Sequence, residues 1–465
     1  MSVIISEGIR ILVLGKDART DAIATACVAS PYGSQTMAYC EYNNPGLMEK
    51  CEFHLGPLTD TKKIQDLAKS KGVDLAIIGP EEPLDAGLVD ALEEVGISCF
   101  GPYKELAKIE TSKAWTRELL RTYDIPGSPD FRVFESTDGL TTYLHELGDF
   151  VIKPDGLTGG KGVRLSGEHL NSVREAVDYA NQLFNTHGSV VVEEKLEGEE
   201  FSLQTITDGD TLIHCPIVQD HKRAYEGDIG PNTGGMGSYS CVDLSLPFLE
   251  KADVEDAKAI NASVIQAIRE KTGRPYRGVL YGGFIATTKG TRLIEYNARF
   301  GDPEGMNVIP LLQTDFVELC YAVAKGHLKD INVTFQPKAT VCKYIVPQGY
   351  PMDTAKNEPI NIPASLFNRE DVRTFYAGID KRDDRLYLTG SRAVAFVGIA
   401  DALEEAEKLA ESAASSVEGL VRHRVDIGTK ALLDTRIAHM ARLRHNSMSN
   451  NNHTNSLHAK RMTTI

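Results

Sequence analysis

Three polar residues on one short stretch have the types and spacing to handle a metal ion and a phosphate. In Leu293-Ile294-Glu295-Tyr296-Asn297-Ala298-Arg299-Phe300-Gly301-Asp302-Pro303-Glu304, polar and apolar residues alternate as in a strand with one buried face, then the chain turns. The alternation puts Leu293, Glu295 and Asn297 on one face and Ile294, Tyr296 and Ala298 on the other. Glu295 and Asn297 then stand about 7 Å apart along the strand. A carboxylate and an amide oxygen so placed are hard ligands suited to Mg²⁺. Arg299 continues the face with a fixed positive fork for phosphate or carboxylate. An ordinary strand with polar surface residues has the same pattern, so the upstream residues must decide.

Lys153 closes an apolar run at 150–153, where a lone ammonium is costly unless it meets an anion. The loop Pro154-Asp155-Gly156-Leu157-Thr158-Gly159-Gly160-Lys161-Gly162-Val163 follows it. Its glycines let backbone N–H groups wrap a phosphate, though a glycine-rich hairpin turn reads equally well. It is not a Walker A loop, because Gly162 follows Lys161 where Ser or Thr would stand. Glu193-Glu194-Lys195-Leu196-Glu197-Gly198-Glu199-Glu200 leaves an apolar strand for a short linker. Its backbone could pair with a purine edge and a carboxylate beyond it could accept ribose hydroxyls; an exposed acidic turn has the same composition. Gln219-Asp220-His221-Lys222-Arg223 and Gly230-Pro231-Asn232-Thr233-Gly234-Gly235-Met236-Gly237 bracket a polar loop too rich in glycine and charge to be core.

These groups need elements to position them. Runs at 9–14, 37–41, 75–79 and 98–100 read as strands, with helices at 21–29, 62–70 and 84–95 between them. Such alternation predicts a parallel, doubly wound sheet, with ligands beyond the carboxyl ends of its strands. Gly79-Pro80-Glu81-Glu82-Pro83-Leu84 lies at one such end. Its carboxylates suit ribose hydroxyls or, equally, a helix start. The first strand lacks G-x-G-x-x-G, which argues against a dinucleotide site. A helical region at 105–123 carries Thr111-Ser112-Lys113, 254–272 reads as an amphipathic helix, and 281–287 with 291–297 reads as a hairpin. Strands at 339–346, 374–377, 385–388 and 393–398 with a helix at 400–418 form a separate α+β lobe, in which Gly390-Ser391-Arg392 is a candidate phosphate corner or an ordinary turn. From His445 the Ser-, Asn- and His-rich chain reads as a disordered tail.

Length and composition set outer bounds. The 465 residues suit roughly two to four domains. A net charge of −15 opposes general nucleic-acid binding. The sequence has no apolar run of about 18 residues, hence no predicted membrane span. Eight scattered cysteines without a C-x-x-C pair predict reduced thiols in a cytoplasmic protein.

As a set, these stretches resemble the ATP-grasp superfamily, and within it the phosphoribosylamine–glycine ligase family of purine synthesis. The resemblance covers most of residues 75–320 and the C-terminal lobe more loosely. It implies an N-terminal Rossmann-like domain at 1–108 and an ATP-grasp domain at 109–330 with a lid near 124–196. A C-terminal α+β domain would follow at 331–440, and a tail at 445–465. It implies that Lys113 and Lys153 bind ATP phosphates and that 156–162, with Gly159, Gly160 and Lys161, is the flap over them. Glu193, Glu194 and Leu196 would supply the adenine hinge, largely through backbone, and Glu200 the ribose acceptor. Glu295 and Asn297 would hold Mg²⁺ or Mn²⁺, and Arg299 would stabilise an acyl phosphate and its transition state. Asp220, Lys222 and Arg223, with Asp302, would line the substrate side. Glu81, Glu82 and Arg392 would contact a phosphoribosyl group. The implied partners are small molecules (ATP, glycine and 5-phosphoribosylamine), with no nucleic acid or membrane, in a monomer or homodimer.

One departure stands out. Where the family has a Gly-Asn-Gly-Gly-Arg-Glu-His-Ala turn after the first strand, this chain reads Gly15-Lys16-Asp17-Ala18-Arg19-Thr20-Asp21-Ala22, which keeps Arg19 but loses the later glycines and the Glu-His pair. That turn lies by the amine substrate in the family, which supports a diverged paralogue joining another amino acid to another amine; a third reading, an ATP-binding regulator without catalysis, is opposed by the retention of Glu295, Asn297, Arg299 and both lysines.

Overall fold

Ile11, Leu12, Val13 and Leu14 are all fully buried, as in a strand covered on both faces. In the computed structural model, which describes residues 8–33, 35–159, 162–367 and 369–462, they belong to the central strand of a parallel sheet. The strand order is Glu52–Leu55, Gln35–Cys40, Arg10–Leu14, Leu75–Ile78, Ser98–Phe100, the doubly wound arrangement the sequence predicts. The turn that departs from the family pattern is well supplied with bonds. Asp17 caps the helix Ala18–Ala29 by accepting from the Thr20 N–H at 2.9 Å and the Thr20 hydroxyl at 2.7 Å. A Cβ on Gly15 would lie 2.0 Å from that hydroxyl, so the tight turn still demands glycine there.

The helical region after this sheet divides. Helices Lys104–Thr111 and Lys113–Thr122 meet at Ser112, whose Oγ accepts from the Trp115 N–H at 3.0 Å. A small antiparallel sheet follows, ordered Phe131–Phe134, Val190–Glu194, Phe150–Pro154, Arg164–Leu165. Helices Leu140–Leu147 and Val173–His187 cover it and enclose a core of its own. A second antiparallel sheet contains Leu212–His214, Glu199–Thr207, Gly278–Thr287 and Gly290–Asn297, backed by the helix Lys251–Thr272. A Cβ on Gly198 would sit 1.8 Å from the Ala286 carbonyl oxygen, so the linker enters this sheet by close backbone approach.

Regular structure runs across both of the later boundaries. Strand Gly237–Ser240 pairs antiparallel with Ala339–Pro347, so one sheet runs through the division expected at 330. That sheet continues to Val394–Ala400 and Val372–Tyr376 in the C-terminal lobe. The expected tail from 445 is instead the continuation of a helix, Lys430–Met462. Asn and Ser are weak helix formers, but extending an existing helix costs each only tenths of a kcal/mol, about 0.5.

The strand bearing Glu295 holds the most consequential irregularity. Gly283 pairs with Glu295 but Phe284 with Leu293, so Ile294 is the extra residue of a β-bulge. The alternation changes phase there. Thr291 and Leu293 are buried before it, Tyr296 and Ala298 after it, and Leu293 does not share the face of Glu295. The bulge releases carbonyls from the ladder, and buried cations take them. Arg117 Nη2 donates to Leu293 O at 3.1 Å and to Ile294 O at 2.8 Å, and Lys153 Nζ donates to Ile294 O at 3.0 Å. Both cations also bind Glu193, Arg117 through two bonds of 2.7 and 3.1 Å and Lys153 at 2.7 Å. Removing Arg117 would strand bulge carbonyls and part of a buried carboxylate. Arg117→Met is expected to cost about 3 kcal/mol, read as a lower urea midpoint than wild type.

Candidate active site

A cleft of about 890 Å³ lies between the two antiparallel sheets and the carboxyl edge of the parallel one. It is lined by Lys113, Lys153, Gly159, Glu193, Glu194, Leu196 and Glu200 at one end. Glu295, Asn297, Arg299, Asp302, Asp220, Lys222 and Arg223 line its middle, and Glu81, Glu82 and Arg392 its other end. The structure thus brings together every site residue inferred from sequence that it describes; Gly160 and Lys161 lie outside the described residues.

Charge in the cleft is arranged around shared partners. Glu193 is 3% exposed and sits between two cations, Arg117 and Lys153. Burial opposes its ionisation, but the two cations outweigh it and draw the carboxyl down to about 2. Lys153 is 7% exposed; burial and Arg117 pull its ammonium below the usual lysine range against the pull of Glu193. One carboxylate for two cations leaves positive charge unspent at the cleft wall, the condition that favours a further anion. Lys113 Nζ donates to the Gly156 carbonyl at 2.8 Å, which ties the glycine loop to the helix below it.

Glu295 lies among cations. Burial would raise its pKa, but Lys222, Lys153, Lys113 and Arg299 together hold it below the usual carboxylate range. Lys222 Nζ stands 3.6 Å from both Glu295 and Glu200. Burial acts against that ammonium too, and Glu200, Glu295, Asp220 and Glu304 keep it charged. Asp220 is pushed well above the usual range by burial and by Glu304, and its Oδ1 is buried without a hydrogen-bond partner.

Two oxygens, the ionised Glu295 carboxylate and the Asn297 amide, meet the chemistry of a hard divalent cation. Asn297 Oδ1 accepts from Arg299 Nη2 at 3.1 Å and keeps a second lone pair. No cluster of three or more His, Cys, Asp or Glu side chains suited to a metal occurs among the described residues. The pair therefore fits an ion that completes its shell with phosphate oxygens and water, as Mg²⁺ does.

Arg299 is braced on both edges. Its Nε donates to Glu81 at 3.1 Å, and its Nη2 lies 2.8 Å from Glu110. Glu110 also accepts from the Ala298 N–H at 2.7 Å, so it fixes backbone and side chain of the same segment. Burial pushes the Glu110 carboxyl up to about 7, against the opposing pull of Arg299. Several side chains taken as substrate contacts are engaged within the protein. Glu82 receives Lys16 at 3.0 Å, and Arg223 pairs with Glu168 of the small sheet's loop. Arg392 Nη1 donates to Gly234, Gly235 and Asp302 carbonyls at 2.6, 3.1 and 2.9 Å, while its Nη2 lies 3.1 Å from Asp302 Oδ2. In the linker, Glu194 and Lys195 N–H groups donate to Asp130 and Asp149 carbonyls at 2.9 and 3.1 Å. The Leu196 N–H is not engaged among the described residues. The loop judged too polar for core is partly core: Gln219, His221, Thr233 and Met236 are buried, His221 stacked on Tyr239.

Glu110 and Arg117 escaped the sequence analysis, and Glu304 was quoted there without a role; Asp17 and Arg19, from the altered first turn, also line the cleft. For the first two a signal existed. Each is a lone charge on the apolar face of its helix, Glu110 beside Leu106 and Ile109, Arg117 beside Leu120.

A lid-like antiparallel sheet facing a second antiparallel sheet across a cleft of lysines, carboxylates and an arginine is the architecture of an ATP-grasp protein. The chain belongs to the phosphoribosylglycinamide synthetase family. The family's N domain matches residues 9–110, its ATP-grasp (A) domain 111–305 and its C domain 340–430. The phosphoribosylamine–glycine ligase of Methanosarcina barkeri is 45% identical over 436 residues, 94% of this chain and 100% of that protein. That of Methanocaldococcus jannaschii is 46% identical over 444 residues, again 94% and 100%. The crystal structure of phosphoribosylamine–glycine ligase from Thermotoga maritima superposes with a TM-score of 0.76 at 26% identity, covering 90% of this chain and 100% of that one. The protein is an ATP-dependent carbon–nitrogen ligase.

Glu110→Gln would remove the charge that braces Arg299 and set an NH2 donor against either Arg299 or the Ala298 N–H. It is expected to lower kcat about 10- to 100-fold while changing the KM for ATP less than about threefold. Steady-state kinetics at saturating ATP check this.

Proposed function

We propose that this chain joins glycine to 5-phosphoribosylamine at the cost of ATP, through glycyl phosphate, releasing glycinamide ribonucleotide, ADP and phosphate. The observation that carries the reading is the convergence of Lys113, Lys153, Lys222 and Arg299 on the Glu295 carboxylate within one cleft. Relatives named for this reaction, 45–46% identical over nearly the whole chain, favour it over ligation of a different amine.

A carboxylate is a poor electrophile until one of its oxygens is phosphorylated. Phosphoryl transfer calls for neutralised charge and alignment more than for a nucleophilic side chain. Lys113 and Lys153 would bind the ATP phosphates, and Lys153 exchanges part of its attraction to Glu193 for them. The loop at 156–162 would cover the phosphates and exclude the water that hydrolyses an acyl phosphate. The Leu196 amide and neighbouring carbonyls would meet the adenine, and Glu200 the ribose hydroxyls. Glu295 and Asn297 would hold Mg²⁺ or Mn²⁺, which supplies charge neutralisation between the phosphates. Arg299, aligned by Glu81 and Glu110, would face the charge that develops on the transferred group. Asp220, Lys222, Arg223 and Asp302 would line the glycine side, and Glu81, Glu82 and Arg392 the phosphoribosyl side. The reading carries a cytoplasmic location with it, in keeping with eight free thiols. None of the described helices is long and apolar enough to cross a membrane.

Purified protein is expected to release ADP only with glycine, Mg²⁺ and freshly made phosphoribosylamine together. Release with another amino acid or amine in their place, and not with these, would reject the assignment. Glu295→Ala is expected to lower turnover at least about 100-fold with an unchanged circular dichroism spectrum. Wild-type turnover in that variant would remove its metal role.

A further inference from the structure

The helix Lys430–Met462 starts where the matched C domain ends, and its early turns reach back to the cleft. Arg436 is the point of contact and itself lines the cavity. Its Nη1 lies 3.2 Å from Glu199 Oε2, and its Nη2 donates to Asp228 Oδ2. His439, three residues on and so on the same helical face, donates from Nδ1 to Glu199 Oε1 at 2.6 Å.

The two carboxylates belong to different parts of the site. Glu199 opens the strand Glu199–Thr207. Asp228 forms the turn between Arg223–Tyr225 and Ile229–Asn232, with a φ of 56°. Asp228 also accepts from Arg424 Nη1 at 2.7 Å and lies 3.4 Å from His221 Nδ1. One guanidinium therefore fastens a strand to a hairpin: Glu200 follows Glu199 on the strand, and Arg223, preceded by Lys222, opens the hairpin that Asp228 turns. Strand alternation turns Glu199 toward the helix and Glu200 toward the cleft. The Glu199 side chain is 5% exposed and that of Glu200 55%. Beside His221, Lys222 reaches to within 3.6 Å of Glu200. Without Arg436, Glu199 would retain His439, and Asp228 would retain Arg424 and His221. No group would then hold the two carboxylates against their mutual repulsion.

We propose that Arg436 is a positioning residue for the nucleotide: by holding Glu199 and Asp228 it sets the spacing of Glu200 from Lys222 and so the width of the cleft at its nucleoside end. The proposal rests on Glu200 meeting the ribose of ATP. It gives the C-terminal helix a part in substrate binding although that helix touches none of the reacting groups.

The test is steady-state kinetics on the full chain, with ADP affinity measured directly by calorimetry. Arg436→Ala should raise the KM for ATP and the Kd for ADP about tenfold, and the KM for glycine, whose side Lys222 also lines, less than about threefold. Arg436→Lys, which keeps one charge but not the fork, should recover part of the loss, and His439→Ala should raise both ADP and ATP constants about threefold. Unchanged nucleotide constants in Arg436→Ala overturn the proposal. So does a parallel fall in glycine binding and melting temperature, which would mean general loosening. Should Arg436→Ala fail to fold, His439→Ala decides: unchanged ADP affinity there overturns the proposal. A wild-type protein that releases no ADP would instead reject the functional reading itself.

Discussion

The shared carboxylate of Glu193 is the constraint on which the rest of the site depends. It comes from the small antiparallel sheet, as does Lys153 on the neighbouring strand, while Arg117 comes from the helix Lys113–Thr122. The same cations satisfy the Leu293 and Ile294 carbonyls that the bulge frees on the second sheet. One buried cluster thus joins both walls of the cleft and settles the phase of the strand that displays Glu295 and Asn297. Because two cations answer to one anion, the wall is left positive where a phosphate would rest. A buried ion cluster of this kind is costly as a source of stability, and its justification lies in position and charge.

The cleft repeats this economy. Arg299 is gripped by Glu81 and Glu110, Lys222 by Glu200 and Glu295, Arg392 by Asp302 and three carbonyls. The side chains proposed to meet anionic substrates are held in place by carboxylates and carbonyls, so little reorganisation is left for the moment of binding. The departure in the first turn fits the same pattern. Asp17 caps the helix and pairs with Arg19, whose Nη1 donates to the Phe300 carbonyl at 2.6 Å. Asp21 receives the Tyr376 N–H at 2.8 Å and Lys50 at 2.6 Å, and so links the first domain to the last. Arg19 and Asp21 of this turn thus tie the first domain to the segment after Asn297 and to the C-terminal lobe.

Much of this was legible in the sequence, and the reasons are local. The run at Ile11–Leu14 shows a doubly covered strand because every residue is apolar. The pattern around Glu295 shows a strand with two oxygens on one face because period two is visible in a few residues. The bulge at Ile294 was not legible, since the extra residue is defined by its partner strand, far away in sequence. The same holds for Glu110 and Arg117, whose meaning depends on Arg299 and Glu193. The loop from Gln219 to Gly237 misled by composition: its glycines and charges suggest solvent, but Gln219 and His221 are buried where the strand Gly237–Ser240 pairs alongside, Tyr239 bonding Gln219 and stacking on His221. The polar tail misled in the opposite way, since composition sees weak helix formers and not the helix they prolong.

The central claim is that these converging charges let ATP phosphorylate a substrate carboxylate. Glycine labelled with ¹⁸O in its carboxylate tests it most directly, by mass analysis of the inorganic phosphate released in turnover. The account predicts one labelled oxygen carried into each phosphate, because the bond between that oxygen and phosphorus survives the attack of the amine. Phosphate free of label, with product formed at the normal rate, would contradict it.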